Sequence, residues 1–174
     1  VNKAGAKFNW EKLNWINSQY IKNMEVNDLY EIFKKYWQKK GWKAHSNEWG
    51  LQLTNLLQDT IILLNDIIDQ SAPFFVIPKI DSDSKIFLKE NSKLSLEKIY
   101  ELLNQEDMHV NKTIAKNLIN KISLENSLKK GIVMRSLRVA FFGCLSGPDL
   151  VKSWELFSAN KDDIKRIERC LDTN

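Results

Sequence analysis

Glycine and proline are scarce in this chain, at 6 and 3 of 174 residues. A β-sandwich or barrel needs a turn every ~8 to 12 residues, so punctuation this sparse excludes both and predicts a mainly helical protein. Long apolar runs are missing as well. Residues 60–64 and 139–142 are among the longest, far short of the ~20 residues of a membrane span, so a soluble protein with no membrane partner is expected. Only His45, His109, Cys144 and Cys170 could supply nitrogen or sulfur to a metal. None forms a Cys-x-x-Cys pair, so no tetrahedral zinc site is expected. The run of Asp81 and Asp83 lacks a calcium-loop pattern and reads as a loop. No secretory leader precedes the two cysteines, which predicts reduced thiols, structural roles for both and a cytoplasmic location. No arginine occurs before Arg135.

What is present is enough for a core. Hydrophobic residues make up 43% of the chain, led by Leu and Ile, which excludes wholesale disorder. The net charge of +4 is unevenly laid out. Residues 1–50 carry 9 Lys against 5 acids, residues 51–110 carry 5 against 10, and residues 111–174 carry 12 basic residues against 7 acids. Two basic ends flank an acidic middle. A polyanion held by both ends accounts for the layout, and so do ordinary solvated helix faces.

Apolar spacing predicts a first helix over residues 9–24, with Asn9 as N-cap and Leu13, Ile16, Tyr20, Ile21 and Met24 on one face. A second helix opens at Asn27 and Asp28, buries Leu29, Ile32, Phe33, Tyr36 and Trp37, and stops at Gly41. Residues 48–70 are dense enough in apolar positions for one bent or two short buried helices. Periodicity fails over 71–95, where Pro73 and Pro78 bracket an apolar patch, and a junction is expected there. Helical spacing resumes over 94–103 and 112–122, and Lys130-Gly131 precedes a final stretch of three helices. The expected fold is all-α, two small helical bundles joined by residues 71–93.

One segment carries chemistry. On a helical wheel Val133, Leu137, Ala140, Phe141 and Cys144 fall on one side of residues 132–145, and Arg135, Arg138, Phe142 and Leu145 on the other. An outward stripe of guanidinium, aromatic and leucine groups suits unpaired RNA bases. The alternative packs Phe142 and Leu145 on a neighbouring helix and leaves the arginines solvated. Ser146-Gly147-Pro148 follows, with Pro148 read as the first helical residue and Gly147 or Ser146 as its cap. Such a helix start offers free N–H groups, although Asp149 places negative charge there.

The segment LRVAFFGCLSGPDL at residues 137–150, followed by KRIERCL at 165–171, resembles the C-terminal signature of bacterial-type glutamyl-tRNA synthetases, LR-x-A-x-TG, then P-x-L and a closing amphipathic helix. FNWEKLNWINSQYI at residues 8–21 is similar to that family's F-x-x-x-KL-x-W-x-N-x-x-YI segment, about 115 residues upstream. Phe142 stands where the family usually has Thr, Gly147 where a side chain is common, and residues 157–161 replace its LGK. No HIGH-like or KMSKS-like signature occurs.

The resemblance implies an α-helical cage of the anticodon-binding type, with residues 1–24 ending a stem-contact region, 25–92 forming a first anticodon-binding subdomain with its linker, and 93–174 a second. It implies a piece of a larger enzyme, beginning just after a catalytic half, with no catalytic residue and no cofactor of its own; ATP and magnesium would act in the other half. The implied partner is tRNA-Glu and the implied state a monomer. Arg138 and Arg135 would meet an anticodon base or a nearby phosphate, beside a pocket formed by Leu145, Gly147, Pro148 and Leu150. Asn17 would touch the tRNA backbone or cap a neighbouring element, while Trp15 and Tyr20 read as packing residues.

In the same resemblance, members that exclude tRNA-Gln carry an arginine in the helix matching residues 56–60. Cytosine, the third anticodon base of tRNA-Glu, presents acceptors to a guanidinium, whereas guanine presents donors. This window holds Gln58, Asp59 and Thr60 instead. A non-discriminating parent that accepts tRNA-Gln as well is therefore expected. The competing class is a helical protein-interaction or scaffold domain that binds no RNA.

Overall fold

The computed structural model describes residues 9–91, 93–105 and 108–172, and among them every regular element is helical. Phe8, the first residue of the upstream motif, lies outside the described residues, as do residues 1–7 of the expected stem-contact segment. The chain divides between Gln70 and Ser71 into two compact units, not at the expected 92/93 boundary.

In the first unit, α1 (Trp10–Lys22) starts as expected at Asn9, whose side chain accepts the Lys12 amide at 3.1 Å. Its expected apolar face is not a core face. Ile21 is buried at 2% exposure, but Leu13, Ile16 and Tyr20 are exposed, and so is Trp15. The packing roles read for Trp15 and Tyr20 are thereby corrected: α1 meets its unit through its C-terminal half, by Asn17, Ile21 and Lys22. Helix α2 (Val26–Lys39) begins one residue before Asn27, after Glu25, whose side chain makes no cap. Leu29, Phe33 and Trp37 recur at helical spacing and are buried, joined by Tyr30. Gly41 follows the helix at φ +72°, a left-handed turn that suits glycine.

Residues 48–70 hold two helices. Ser46 caps α3 (Asn47–Leu57) by accepting the Trp49 amide at 3.1 Å. A 3-10 turn, Gln58–Thr60, ends it, and α4 (Asp66–Phe75) follows. The Asp66 carboxylate accepts the amides of Ile62 and Leu63 at 3.1 and 2.7 Å, closing the intervening loop. Helix α4 runs through Pro73, where the sequence pattern loses its period. Phe74 explains the extension, because burying its ring in the second unit, stacked at 5.0 Å on Phe157, favours carrying the helix past the proline.

Residues 71–93, expected to be a linker, belong to the second unit. The acidic run is not a loop: Asp81 accepts the Ser84 amide at 2.7 Å and caps α5 (Ser82–Glu90), which buries Leu88. That amide hydrogen bond also holds the Asp81 carboxyl below its ordinary pKa. The remaining helices are α6 (Leu94–Gln105), α7 (Lys112–Glu125), α8 (Lys130–Phe142), α9 (Leu150–Ser158) and α10 (Asp162–Asp172). Their core centres on Phe74, Phe141, Phe142, Trp154 and Phe157. Arg166 of α10 lies inside it at 1% exposure. It donates to the Phe141 carbonyl and to Asp162, each at 2.8 Å, and its guanidinium sits 4.2 Å from the Phe157 ring centre. A buried charge is tolerated when paired and hydrogen-bonded in this way.

Candidate nucleic-acid interface

Helix α8 and the loop that follows it position the arginines. The helix is enclosed on more than one side, with Val133, Ser136, Leu137, Val139, Ala140, Phe141 and Phe142 all buried. The outward aromatic stripe therefore does not exist: Phe142 is 5% exposed and packs edge-on against Phe74. A helical wheel drawn to Leu145 fails because the helix stops at Phe142. Gly143 takes φ +70°, and a Cβ there would lie 2.2 Å from the Lys79 carbonyl oxygen. Only glycine fits, and the chain leaves the helical path at that point.

Arg138 turns toward that loop. Its Nη1 donates to the carbonyls of Gly147 at 3.0 Å and Pro148 at 2.9 Å. The cap lies two residues beyond Gly147: α9 starts at Leu150, Asp149 accepts the Lys152 amide at 2.9 Å, and Pro148 stands outside the helix. Asp149 thus occupies the helix start that an anion would need. Leu150 is buried at 2% exposure, so its side chain belongs to the core and offers no pocket wall. The sequence pattern missed this because P-x-L places Leu150 one residue inside the helix, on its packed face.

Arg135 is exposed on α8. It lines an open cavity of about 400 Å³ with Leu145, Ser146, Cys144, Asp81 and Asp83. The structure therefore brings Arg135 and Leu145 together, and links Arg138 with Gly147 and Pro148 through hydrogen bonds. Guanidinium donors and carboxylate acceptors in one cavity match a base edge, which presents both kinds of group, better than a phosphate, which the carboxylates repel. Asp81 and Asp83 were read as a loop and Ser146 as a possible helix cap, and none of the three was foreseen in this cavity. The Asp81-x-x-Ser84 spacing could have signalled a helix cap, but nothing in the sequence brings it beside α8.

The other expected site residues lie in the first unit. Gln58 is buried, and its Nε2 donates to the carbonyls of Ile21, Lys22 and Met24 at 2.9, 3.2 and 2.8 Å. It satisfies the open end of α1, so its amide N–H groups are not available to a base. Asp59 and Thr60 are exposed, with the Thr60 hydroxyl donating to the Leu57 carbonyl at 2.7 Å. Asn17 donates to the Ile62 carbonyl at 3.2 Å, the neighbouring-element role rather than a free surface amide. Among the described residues no group of three His, Cys, Asp or Glu could hold a metal ion, and no helix is long and apolar enough to cross a membrane. Both cysteines are free thiols.

Two curated glutamate–tRNA ligases, from Prochlorococcus marinus subsp. pastoris and a Synechococcus strain, are 59% and 39% identical to the chain over 98% of its length. The chain spans 36% of the length of each. Crystal structures of a glutamate tRNA ligase from Elizabethkingia meningosepticum, in complex with its amino acid, and of the glutamate-tRNA synthetase from Elizabethkingia anophelis superpose with a TM-score of 0.84 each. They are 26% and 28% identical, and the match covers 99% of this chain and 34% of theirs. The family model described as an anticodon binding domain matches residues 20–171, most of the first unit and nearly all of the second, and the chain belongs to that family.

Proposed function

We propose that the chain is the tRNA anticodon-arm-binding part of a glutamate–tRNA ligase whose substrate is tRNA-Glu. The supporting observation is the cavity of Arg135 and Leu145 beside the loop that Arg138 holds at Gly147 and Pro148. In this reading Arg135 meets an anticodon base or a nearby phosphate. Arg138 holds the loop and turns its remaining N–H groups to the RNA. The parent reaction attaches glutamate to tRNA with ATP and magnesium, in the cytoplasm and in a monomer. That chemistry is assigned to the rest of the parent, because this sequence carries neither a HIGH-like nor a KMSKS-like signature.

The test is tRNA binding across salt concentrations. A tRNA-Glu transcript should bind this chain with a steep loss of affinity as salt rises, and Arg135→Ala should weaken it by about 1 to 3 kcal/mol. Footprints should be confined to the anticodon arm. Absence of binding at low salt would instead favour a helical protein-interaction domain, a reading that the exposed Leu13, Ile16 and Tyr20 support. The same proposal extends to tRNA-Gln. Asp59 and Thr60 carry no guanidinium and Gln58 is committed to α1, so nothing in that window rejects guanine. Charging assays with both transcripts decide it; a parent enzyme that leaves tRNA-Gln uncharged ends this extension.

A further inference from the structure

Residues 34–43 contain Lys34, Lys35, Lys39, Lys40 and Lys43 and no carboxylate. Interleaved with them are Tyr36, Trp37 and Trp42. Most of this run is the end of α2; Gly41 then reverses the chain, and the Trp42 amide donates to the Trp37 carbonyl at 3.0 Å. Trp42 and Lys43 are thereby folded back beside the helix. A cavity of about 180 Å³ opens there, with Tyr30, Lys34, Trp37, Trp42, Lys43 and Asn47 among its lining residues.

The floor of the cavity is fixed. Tyr30 donates to Asn47 Oδ1 at 3.3 Å, and its ring lies where a side chain at Gly50 would be, 2.4 Å from the position of a Cβ. Two of the lysines, Lys34 and Lys43, line the cavity, and the other three lie on the same stretch of chain. Lys34 is held by Glu31 at 2.9 Å and Lys39 lies over the Tyr36 ring at 4.7 Å. Lys35, Lys40 and Lys43 are exposed and make no ion pair among the described residues. The negative end of the helix dipole accounts for Lys39 and Lys40. It does not account for Lys35, for Lys43 beyond the turn, or for the aromatic cavity that Lys34 and Lys43 line. Like charges crowded in this way repel one another, and a ligand with several closely spaced negative charges relieves that repulsion.

We propose that this lysine-rich end of α2 is a second RNA-contact surface. Lys35, Lys40 and Lys43 hold backbone phosphates of the tRNA, and Trp42 forms the wall on which a ribose or an unpaired base rests. Basic side chains next to an aromatic wall are the arrangement that holds a nucleic-acid strand without reading its sequence. The surface rests on the tRNA-binding reading above but uses none of its residues.

The experiment measures binding of a tRNA-Glu transcript to the 174-residue chain at several salt concentrations. The patch variant combines Lys35→Gln, Lys40→Gln and Lys43→Gln. A control variant removes the same charge from the exposed Lys116, Lys121 and Lys129. The patch variant should flatten the slope of log affinity against log salt by about 2 to 3 and leave thermal unfolding unchanged, while the control keeps the original slope. Trp42→Ala should lower affinity by about tenfold without altering the slope. An unchanged slope in the patch variant overturns the proposal and leaves the anticodon reading standing; it is also the result expected if the patch serves an acidic protein segment. An equal change in the control overturns it too, since net charge alone would then be responsible. If the unmodified chain does not bind the transcript at low salt, both readings fall.

Discussion

Phe142 and Gly147 share one volume. Gly147 takes φ +154°, and a Cβ there would lie 2.7 Å from the Phe142 ring. The two departures from the synthetase pattern noted in the sequence are therefore one event: an aromatic ring at 142 fills space that a side chain at 147 would need. Gly147→Ala should cost about 1 to 3 kcal/mol through overpacking and backbone strain. In a Phe142→Thr background that cost should shrink, with a coupling of about 1 kcal/mol or more in a denaturant-unfolding cycle; additive costs would contradict the shared volume. Asp163 carries a pH consequence. Burial pushes its carboxyl above the ordinary 3.8, opposed by the hydrogen bond from Trp154 Nε1 at 2.9 Å. The folded state then holds its proton more tightly than the unfolded state. This contribution to stability is fully present below about pH 3.8 and is lost as pH rises through the higher folded value. Relative to wild type, Asp163→Asn should remove that decline, and unfolding curves measured from pH 3.5 upward would show it; parallel profiles would refute the assignment.

Helix α1 separates what apolar spacing predicts from what packing uses. Leu13, Ile16 and Tyr20 recur at helical spacing, yet Ile21 alone among its apolar residues is buried. A sequence pattern reports that a face seeks cover and does not say whether this unit supplies it. Ile21→Gln should accordingly cost about 3 kcal/mol, whereas Ile16→Gln should stay within about 0.5 kcal/mol, both read from denaturant midpoints. Comparable losses would mean that the outer face is packed. Helices α2, α3 and α6 to α10 were legible because buried residues recur every three to four positions along them; their caps were not, since α2 follows Glu25 and α9 is capped by Asp149. Helix α5 and the end of α4 were not. Each is short, one contains a proline, and each is held by partners distant in sequence, such as Phe157 for Phe74 and the Gly143 carbonyl for the Asp81 amide.

At the scale of the whole chain, the fold class and the anticodon-binding-domain family could be read from the sequence, because sparse turns and two ordered motifs are one-dimensional signals. The site could be read only in part. Arg135 and Arg138 were visible as charges on a wheel. Whether each reaches solvent or a carbonyl depends on where α8 stops, and the Lys79 carbonyl pressing on Gly143 sets that. Burial of Leu150 and Gln58 depends on the same kind of long-range contact. One buried group in the second unit also serves as a clock. Cys170 is fully buried, and burial pushes its thiol above the ordinary 9.0, opposed by Arg169; Cys144 is half-buried beside an open cavity. A thiol-selective alkylating reagent should therefore mark Cys144 first and reach Cys170 only when the second unit opens. Mass spectra taken over time would then give the opening rate of that unit under native conditions, with no mutation or attached probe, and would show whether bound tRNA slows it.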